Sequence, residues 1–222
     1  MPQDFRLQDT GLINRDKKIK FKFNGKDYFG YEGDTLASAL IANGIHLVGR
    51  SFKYHRPRGF IGAGVDEPNA QVQLYKGAKT EPNAIATTVE LVEGLEAKSQ
   101  NCWPSVSFDF GAINNFLSKF FPAGFYYKTF MWPKSFWYKI YEPFIRKAAG
   151  LGVASPKHDK ERYEHKYEYC DLLIAGSGPS GLASAYAAAK NGARVILAED
   201  KSRFGGTLLT SEANIGNQSG KE

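Results

Sequence analysis

The sequence predicts an α+β domain followed by the start of an α/β domain, and three observations carry that prediction. Ile19, Phe21 and Phe23 alternate with Lys18, Lys20 and Lys22 and run into Asn24-Gly25, a half-buried strand entering a tight hairpin turn. Far downstream, the apolar run from Asp171 to Ala175 enters Gly176-Ser177-Gly178-Pro179-Ser180-Gly181 and then an alanine-rich stretch, the strand–turn–helix order of a phosphate-binding turn. Between them, Phe116 to Phe144 packs thirteen aromatic residues into 29 positions, broken by Pro122, Pro133 and Pro143.

Composition narrows the function classes. The 222 residues are 42% hydrophobic and 23% charged, ordinary for a globular protein of one or two domains. The formal charge of +6 favours anionic partners but lacks the clustering of a dedicated nucleic-acid binder. Nothing after Met1 reads as a secretory signal, and no apolar run reaches the 18 residues a membrane span needs. Two cysteines, Cys102 and Cys170, carry no metal-ligand spacing, which suits a reducing cytoplasm.

The first third reads in order. Lys17 to Tyr31 is a hairpin; Asp34 caps a helix from Thr35 to Asn43, and Gly44 ends it. Leu36, Ala39 and Leu40 share one face of that helix. Further strands are expected at Ala70 to Tyr75 and Ile85 to Leu91. Hairpin, helix, long loop and more strands is the order of a β-grasp fold, used by ferredoxins of the [2Fe–2S] type. Their cluster cysteines sit in the loop after the helix; here that loop, Val48 to Pro68, holds none, and a Cys₄ cluster needs four thiolates. The expectation is a ferredoxin-like scaffold with no iron–sulfur cluster and no metal site.

That loop instead carries Arg50-Ser51-Phe52-Lys53-Tyr54-His55-Arg56-Pro57-Arg58-Gly59. Its cations read either as a clamp for phosphate or carboxylate or as a solvated loop packing its aromatics on its own or a neighbouring domain; His55 reads as structural. The aromatic stretch is interrupted by prolines and reads as a buried connector rather than a membrane-surface helix, with a short helix at Ile140 to Ala149. A charged linker from Gly150 to Tyr169 follows. The domains expected are residues 1–105, a connector and linker over 106–168, and an incomplete Rossmann-type domain over 169–222.

In that last domain Gly176 makes the tight turn, Gly178 lets a pyrophosphate approach the backbone, and Gly181 lets helix and strand pack closely. Pro179 and Ser180 open the helix, whose free N–H groups and dipole face the phosphates. Asn191-Gly192 stops the helix, and Ala193 to Ala198 is a second strand. Glu199 closes that strand 18 positions after Gly181, near the ~20 expected for the acid that binds a ribose hydroxyl. Gly205-Gly206 follows, as in many flavoprotein nucleotide folds. The binding residues expected are Gly176, Gly178, Pro179, Ser180, Gly181, Glu199, Gly205 and Gly206, with no catalytic residue. On these residues alone FAD and NAD stand level. The tail from Ser211 to Glu222 shows no strand pattern, and one β-α-β unit is too little for a doubly wound sheet, so the chain reads as a fragment.

Thr35-Leu36-Ala37-Ser38-Ala39-Leu40, the Arg50 to Gly59 run, Glu67-Pro68-Asn69-Ala70 and the run from Phe121 to Pro133 resemble the N-terminal part of the α subunit of heterotetrameric sarcosine oxidase. The resemblance covers Arg6 to Gly206 and leaves out most of a subunit several times this length. It implies a flavoenzyme that oxidatively demethylates sarcosine, passing the methylene unit to tetrahydrofolate or releasing formaldehyde and reducing oxygen to hydrogen peroxide. It implies β, γ and δ partner subunits, FMN and FAD in the wider complex, and a bound NAD at Gly176 to Gly181 and Glu199, which tips NAD over FAD as the expected dinucleotide. A fragment alone would be inactive. Two other readings stand beside it: a non-catalytic assembly module, and a subunit of another amine, opine or dimethylglycine oxidising complex.

Overall fold

The computed structural model describes residues 3–8, 11–75, 77–120, 124, 130–148, 150, 152–211, 214–215 and 218–219. The chain divides into two compact units: Met1–Gly62 with Glu67–Lys160, and Ala63–Asp66 with Glu161–Glu222.

In the first unit the hairpin forms as the alternation predicts. Strand β1 (Asn14–Phe23) pairs antiparallel with β2 (Lys26–Glu32), Phe23 opposite Lys26. Asn24 and Gly25 both have positive φ, 51° and 77°, the requirement of a type I′ turn. Ile19, Phe21 and Phe23 are buried, while Lys18, Lys20 and Lys22 face water.

Helix α1 (Leu36–Ala42) puts Leu36, Ala39 and Leu40 into the core, each with no exposed surface. Its cap is Thr35 rather than the expected Asp34. The Thr35 hydroxyl accepts from the Ser38 N–H while the Ser38 hydroxyl accepts from the Thr35 N–H, a reciprocal box. Asp34 has a different task. Its buried carboxylate accepts from the Tyr31 N–H, from the Ser38 hydroxyl and from both terminal nitrogens of Arg6, at 3.1 and 2.7 Å. It therefore ties the turn, the helix and the N-terminal segment together.

The expected strand at Ile85 to Leu91 is corrected. Strand β6 is Glu81–Ile85, and a turn follows it. The segment after Ile85 serves the helix: the carbonyls of Val89 and Ala86 accept from Leu36 and Ala37, first-turn N–H groups that no helical carbonyl can reach. A strand not expected, β7 (Glu96–Ser99), lies at the centre of the sheet. It runs parallel to β1 and antiparallel to β5 (Gln71–Tyr75), in the order β2-β1-β7-β5-β6. Its alternation is Ala97 and Ser99 inward against Glu96 and Lys98 outward, too weakly apolar to stand out. The parallel first–last strand pair with α1 packed on the sheet is the β-grasp arrangement. Phe21, Phe23, Val72 and Leu74 join α1 in one core cluster; truncating a buried Phe there to Ala costs roughly 3–5 kcal/mol.

The basic loop forms a miniature hairpin, β3 (Gly49–Arg50) against β4 (Pro57–Arg58). In the aromatic stretch, residues 121–123 and 125–129 lie outside the described residues. The rest holds a short helix α2 (Ile113–Phe116), one π-helical turn over Trp137–Tyr141 and helix α3 (Glu142–Ala148), so the helix expected from Ile140 starts with wider winding; position 149 lies outside the described residues. Phe116, Trp132 and Tyr138 are more than four-fifths exposed, so these rings are not buried as expected.

The second unit holds β8 (Leu172–Ala175), helix α4 (Pro179–Lys190) and β9 (Val195–Ala198), with β8 and β9 parallel and in register from Leu172–Val195 to Ala175–Ala198. The tail departs from expectation: Asn214–Ile215 pairs antiparallel with Gln218–Ser219. Among the described residues no helix is long and apolar enough to cross a membrane.

Candidate functional site

The site is the turn between β8 and α4. Gly176 adopts φ +96°, a conformation that L side chains rarely adopt. Gly181 sits under the turn: a Cβ there would lie 2.1 Å from the Gly176 carbonyl oxygen, so strand and helix approach as closely as glycine permits. Gly178 is the N-cap of α4, in extended conformation, and Pro179 takes the first helical position. A Cβ added at Gly178 would meet nothing within 4 Å, which leaves open space on the side where a phosphate would approach the backbone. Ser180 and Gly181 fall in the first turn of α4, where N–H groups have no helical acceptor.

The other expected residues converge on this turn. Glu199, one residue past β9, accepts from the Ser177 N–H at 2.7 Å and from the Ser177 hydroxyl at 2.5 Å, while its other oxygen accepts from the Lys201 N–H at 3.0 Å. The Ser177 hydroxyl, the Ser177 N–H and the Lys201 N–H hold the Glu199 carboxyl down to about 2, so it is an anion at any physiological pH. Gly205 donates its N–H to the Ser177 carbonyl at 3.0 Å, and a Cβ on Gly206 would lie 3.0 Å from the Gly178 Cα. All eight expected residues thus lie on this one turn or on segments packed against it.

Sequence reasoning missed Ser177. It occupies a variable position of the glycine motif, yet it is fully buried and bonds both Glu199 and Gly205. Its signal is that a hydroxyl inside the turn can reach the acid at the end of the next strand.

The Arg50 to Gly59 run lies in the first unit, and its His55 pairs with Asp109 at 2.7 Å. Asp109 also accepts from the Trp103 and Gly111 N–H groups, at 3.0 and 3.1 Å, so the pair fastens a loop. This accords with a structural His55.

Similarity to known proteins covers nearly the whole chain. It is 57% identical over 211 residues to the sarcosine oxidase subunit alpha of Rhizobium meliloti, a match covering 95% of this chain and 21% of that protein. The chain is a homologue of sarcosine oxidase α subunits. Sarcosine oxidase α subunits from two Corynebacterium strains are 32% and 31% identical over 199 residues each, covering 88% of this chain and 16% of theirs. The chain spans about one fifth of the length of these relatives. Residues 16–102 match a family described as a 2Fe-2S iron-sulfur cluster binding domain, and residues 171–215 match a family described as FAD dependent oxidoreductase. The two family matches give a ferredoxin-like domain followed by a region of an FAD dependent oxidoreductase.

Two cofactor expectations are corrected. The expectation of no iron–sulfur cluster, which had rested on a count of thiolates, is overturned by the match of residues 16–102 to a cluster-binding family. Among the described residues no group of three or more His, Cys, Asp or Glu side chains could hold a metal ion. The preference for NAD gives way to FAD, which the match of residues 171–215 supports. The reason is physical: both dinucleotides offer the same ADP half to a glycine turn and an acid, so these residues do not separate them. The chain's groups fit that half, with an open Gly178 and an ionised Glu199.

Proposed function

We propose that the second unit binds the ADP half of FAD within a sarcosine-oxidase-type flavoenzyme, of which this chain is the N-terminal part of the α subunit. The observation that carries the reading is the convergence of Gly176, Gly178, Gly181, Glu199, Gly205 and Gly206 on one turn, in a segment matching an FAD-dependent family. Gly176 shapes the turn, Gly178 leaves the pyrophosphate its approach, and the N–H groups of Ser180 and Gly181 at the α4 terminus bind it. Pro179 presets the first turn of the helix. Glu199, kept ionised and oriented by Ser177, accepts from the adenosine ribose hydroxyl. Gly205 and Gly206 brace the turn from behind.

FAD supplies the redox chemistry when bound; the residues here bind and orient it. The assembled enzyme converts sarcosine, oxygen and water to glycine, formaldehyde and hydrogen peroxide, or passes the one-carbon unit to tetrahydrofolate. The other subunits and the folate site belong to that assembly, in the cytoplasm. The domain division at residues 1–105, 106–168 and 169–222 goes with this reading. The test is direct: purify the protein at its native length, denature it, and identify the released cofactor by chromatography and absorbance. Stoichiometric FAD that is lost in a Gly178→Val variant supports the site; a protein that releases no flavin, or a variant that keeps it, removes the proposal.

A further inference from the structure

The exposed rings of the first unit have no part in the nucleotide turn, and they are not scattered. Trp103, Phe108, Phe110 and Phe116 are each more than half exposed. The Phe110 ring centroid lies 5.0 Å from that of Trp103 and 5.2 Å from that of Phe108, so these three form one cluster. Phe110, Ile113 and Phe116 then recur at every third position through the turn Phe110–Ala112 and helix α2, a spacing that lines side chains along one helical face. Ile113 is exposed as well. The four rings leave on the order of 500 Å² in water, at about 150–250 Å² for a whole aromatic side chain. That is the upper end of the largest apolar patch a monomer carries, and such patches mark interaction sites.

The loop that carries the rings is fixed from within. The Asp109 carboxylate, between Phe108 and Phe110, accepts from the Trp103 and Gly111 N–H groups and pairs with His55. The Ser105 N–H donates to the Phe108 carbonyl at 3.1 Å, and the Ser105 hydroxyl accepts from the Phe108 N–H at 3.0 Å. Arg50 donates to the carbonyls of Val106 and Ser107, at 2.9 and 3.4 Å. Rings held in place beforehand lose little freedom when they are covered, which lets a few aromatic side chains carry much of an interface's energy.

Charge around the rings selects the occupant. From Trp103 to Phe120 the one acid is Asp109, and it is buried. The cations are at the surface: Arg56 is exposed and donates to the side chain of Asn115, next to Phe116, at 2.7 Å, and exposed Lys119 follows Phe116 by three positions. A second copy of this chain seated here about a two-fold axis would set these cations against their own images. An apolar surface rimmed by acids is the complement. The longer polypeptide is the natural source of one. The match to the Rhizobium meliloti α subunit covers 21% of that protein, and a segment tethered to the same chain docks at a high effective concentration.

We propose that Trp103, Phe108, Phe110 and Phe116 form a docking surface for a later segment of the same polypeptide, one that presents apolar side chains with Asp or Glu at their margin. The proposal rests on the reading of this chain as the N-terminal part of an α subunit. On docking, the rings leave water, and Arg56 and Lys119 face the acids.

The experiment uses the native-length protein. Hydroxyl-radical footprinting, read by mass spectrometry, should oxidise the four rings as slowly as the core residues Phe21 and Phe23, and quickly only after unfolding in urea. A zero-length carbodiimide, which joins an amine to a carboxylate in contact with it, should link Lys119 to an Asp or Glu beyond residue 222 of the same chain. Mixing isotope-labelled with unlabelled protein identifies links between copies. Phe108→Asp, at a ring that the first unit leaves in water, should keep the circular dichroism of the parent, abolish the Lys119 link and restore fast oxidation of Trp103 and Phe110. The proposal is overturned if the rings are oxidised as fast as in the unfolded protein, or if Phe108→Asp changes neither reading. It is also overturned if Lys119 forms no link, or links only to a second copy, another subunit or a residue before position 222. Flavin release from the same preparation keeps the two readings apart. Rings open to oxidation in a flavin-bearing protein remove the docking surface alone; protected, cross-linked rings in a flavin-free protein support the docking surface without the nucleotide site.

Discussion

Glu199 takes two hydrogen bonds from the single residue Ser177, one from its N–H at 2.7 Å and one from its hydroxyl at 2.5 Å. The pair joins the end of β9 to the turn after β8, so the acid proposed for the ribose is held by the same turn proposed for the pyrophosphate. Replacing Ser177 with Ala removes one bond and keeps the other. The Glu199 carboxyl should then titrate higher than about 2, followed by carbon-13 NMR of labelled glutamate. Flavin affinity should fall severalfold, because the acid loses one of the two Ser177 bonds that orient it. An unchanged titration curve would show that the hydroxyl does not hold the acid.

The same carboxyl makes a directional prediction for acid stability. Its value drops from 4.5 to about 2 on folding, so the folded state binds the proton more weakly than the unfolded state. The stabilisation is therefore present above about pH 4.5 and is lost as pH falls toward 2. Glu199→Gln has no such group. The stability gap between parent and variant should narrow as the pH is lowered through that window, read from amide NMR signals of Leu172–Ala175 and Val195–Ala198 during denaturant titration. Parallel profiles would count against the arrangement.

How much of this was legible in the sequence depends on whether neighbours or distant partners decide the structure. Ile19, Phe21, Phe23 and Asn24-Gly25 carry their own period and turn chemistry, and the hairpin forms as read. The glycine turn is likewise local, down to Gly181 lying under Gly176. Strand β7 was not legible because Glu96 to Ser99 becomes a strand through the pairing of β1 and β5 on either side of it. Val89 misled for the related reason that its carbonyl, not its branched side chain, decides its place. Asp34 and Thr35 compete for one cap, and only the long-range call of Arg6 on Asp34 separates them. In the site, Ser177 escaped notice because its partner is 22 positions away.

Gly178 and Gly181 should respond oppositely to the same added methyl. At Gly178, with φ −65° and nothing within 4 Å of the new Cβ, Ala should leave stability within about 0.5 kcal/mol and weaken FAD binding about tenfold or more, because the methyl occupies the pyrophosphate's approach. At Gly181 the methyl would meet the Gly176 carbonyl oxygen at 2.1 Å. Strand and helix must part, which costs about 1–3 kcal/mol or more. Thermal unfolding and flavin titration on both variants read the two effects separately. Equal destabilisation by both would contradict the division of roles between the glycines.

His55 and Asp109 make the last prediction, because the pair has the look of a catalytic dyad and the surroundings of a clasp. Asp109 is buried, with one oxygen on His55 and the other receiving the N–H groups of Trp103 and Gly111. A Cβ on Gly111 would lie 2.2 Å from His55 Nδ1, so the ring is packed directly against the loop it holds. Removing the carboxylate leaves two N–H groups and an imidazole without their shared acceptor. Asp109→Ala should therefore destabilise the first unit by about 3 kcal/mol, the scale of breaking a buried pair, while flavin bound by the native-length protein per folded molecule stays constant. Urea unfolding followed by the fluorescence of Trp103 measures the first quantity and cofactor release the second. A loss of flavin without a loss of stability would assign the pair a role beyond holding the loop.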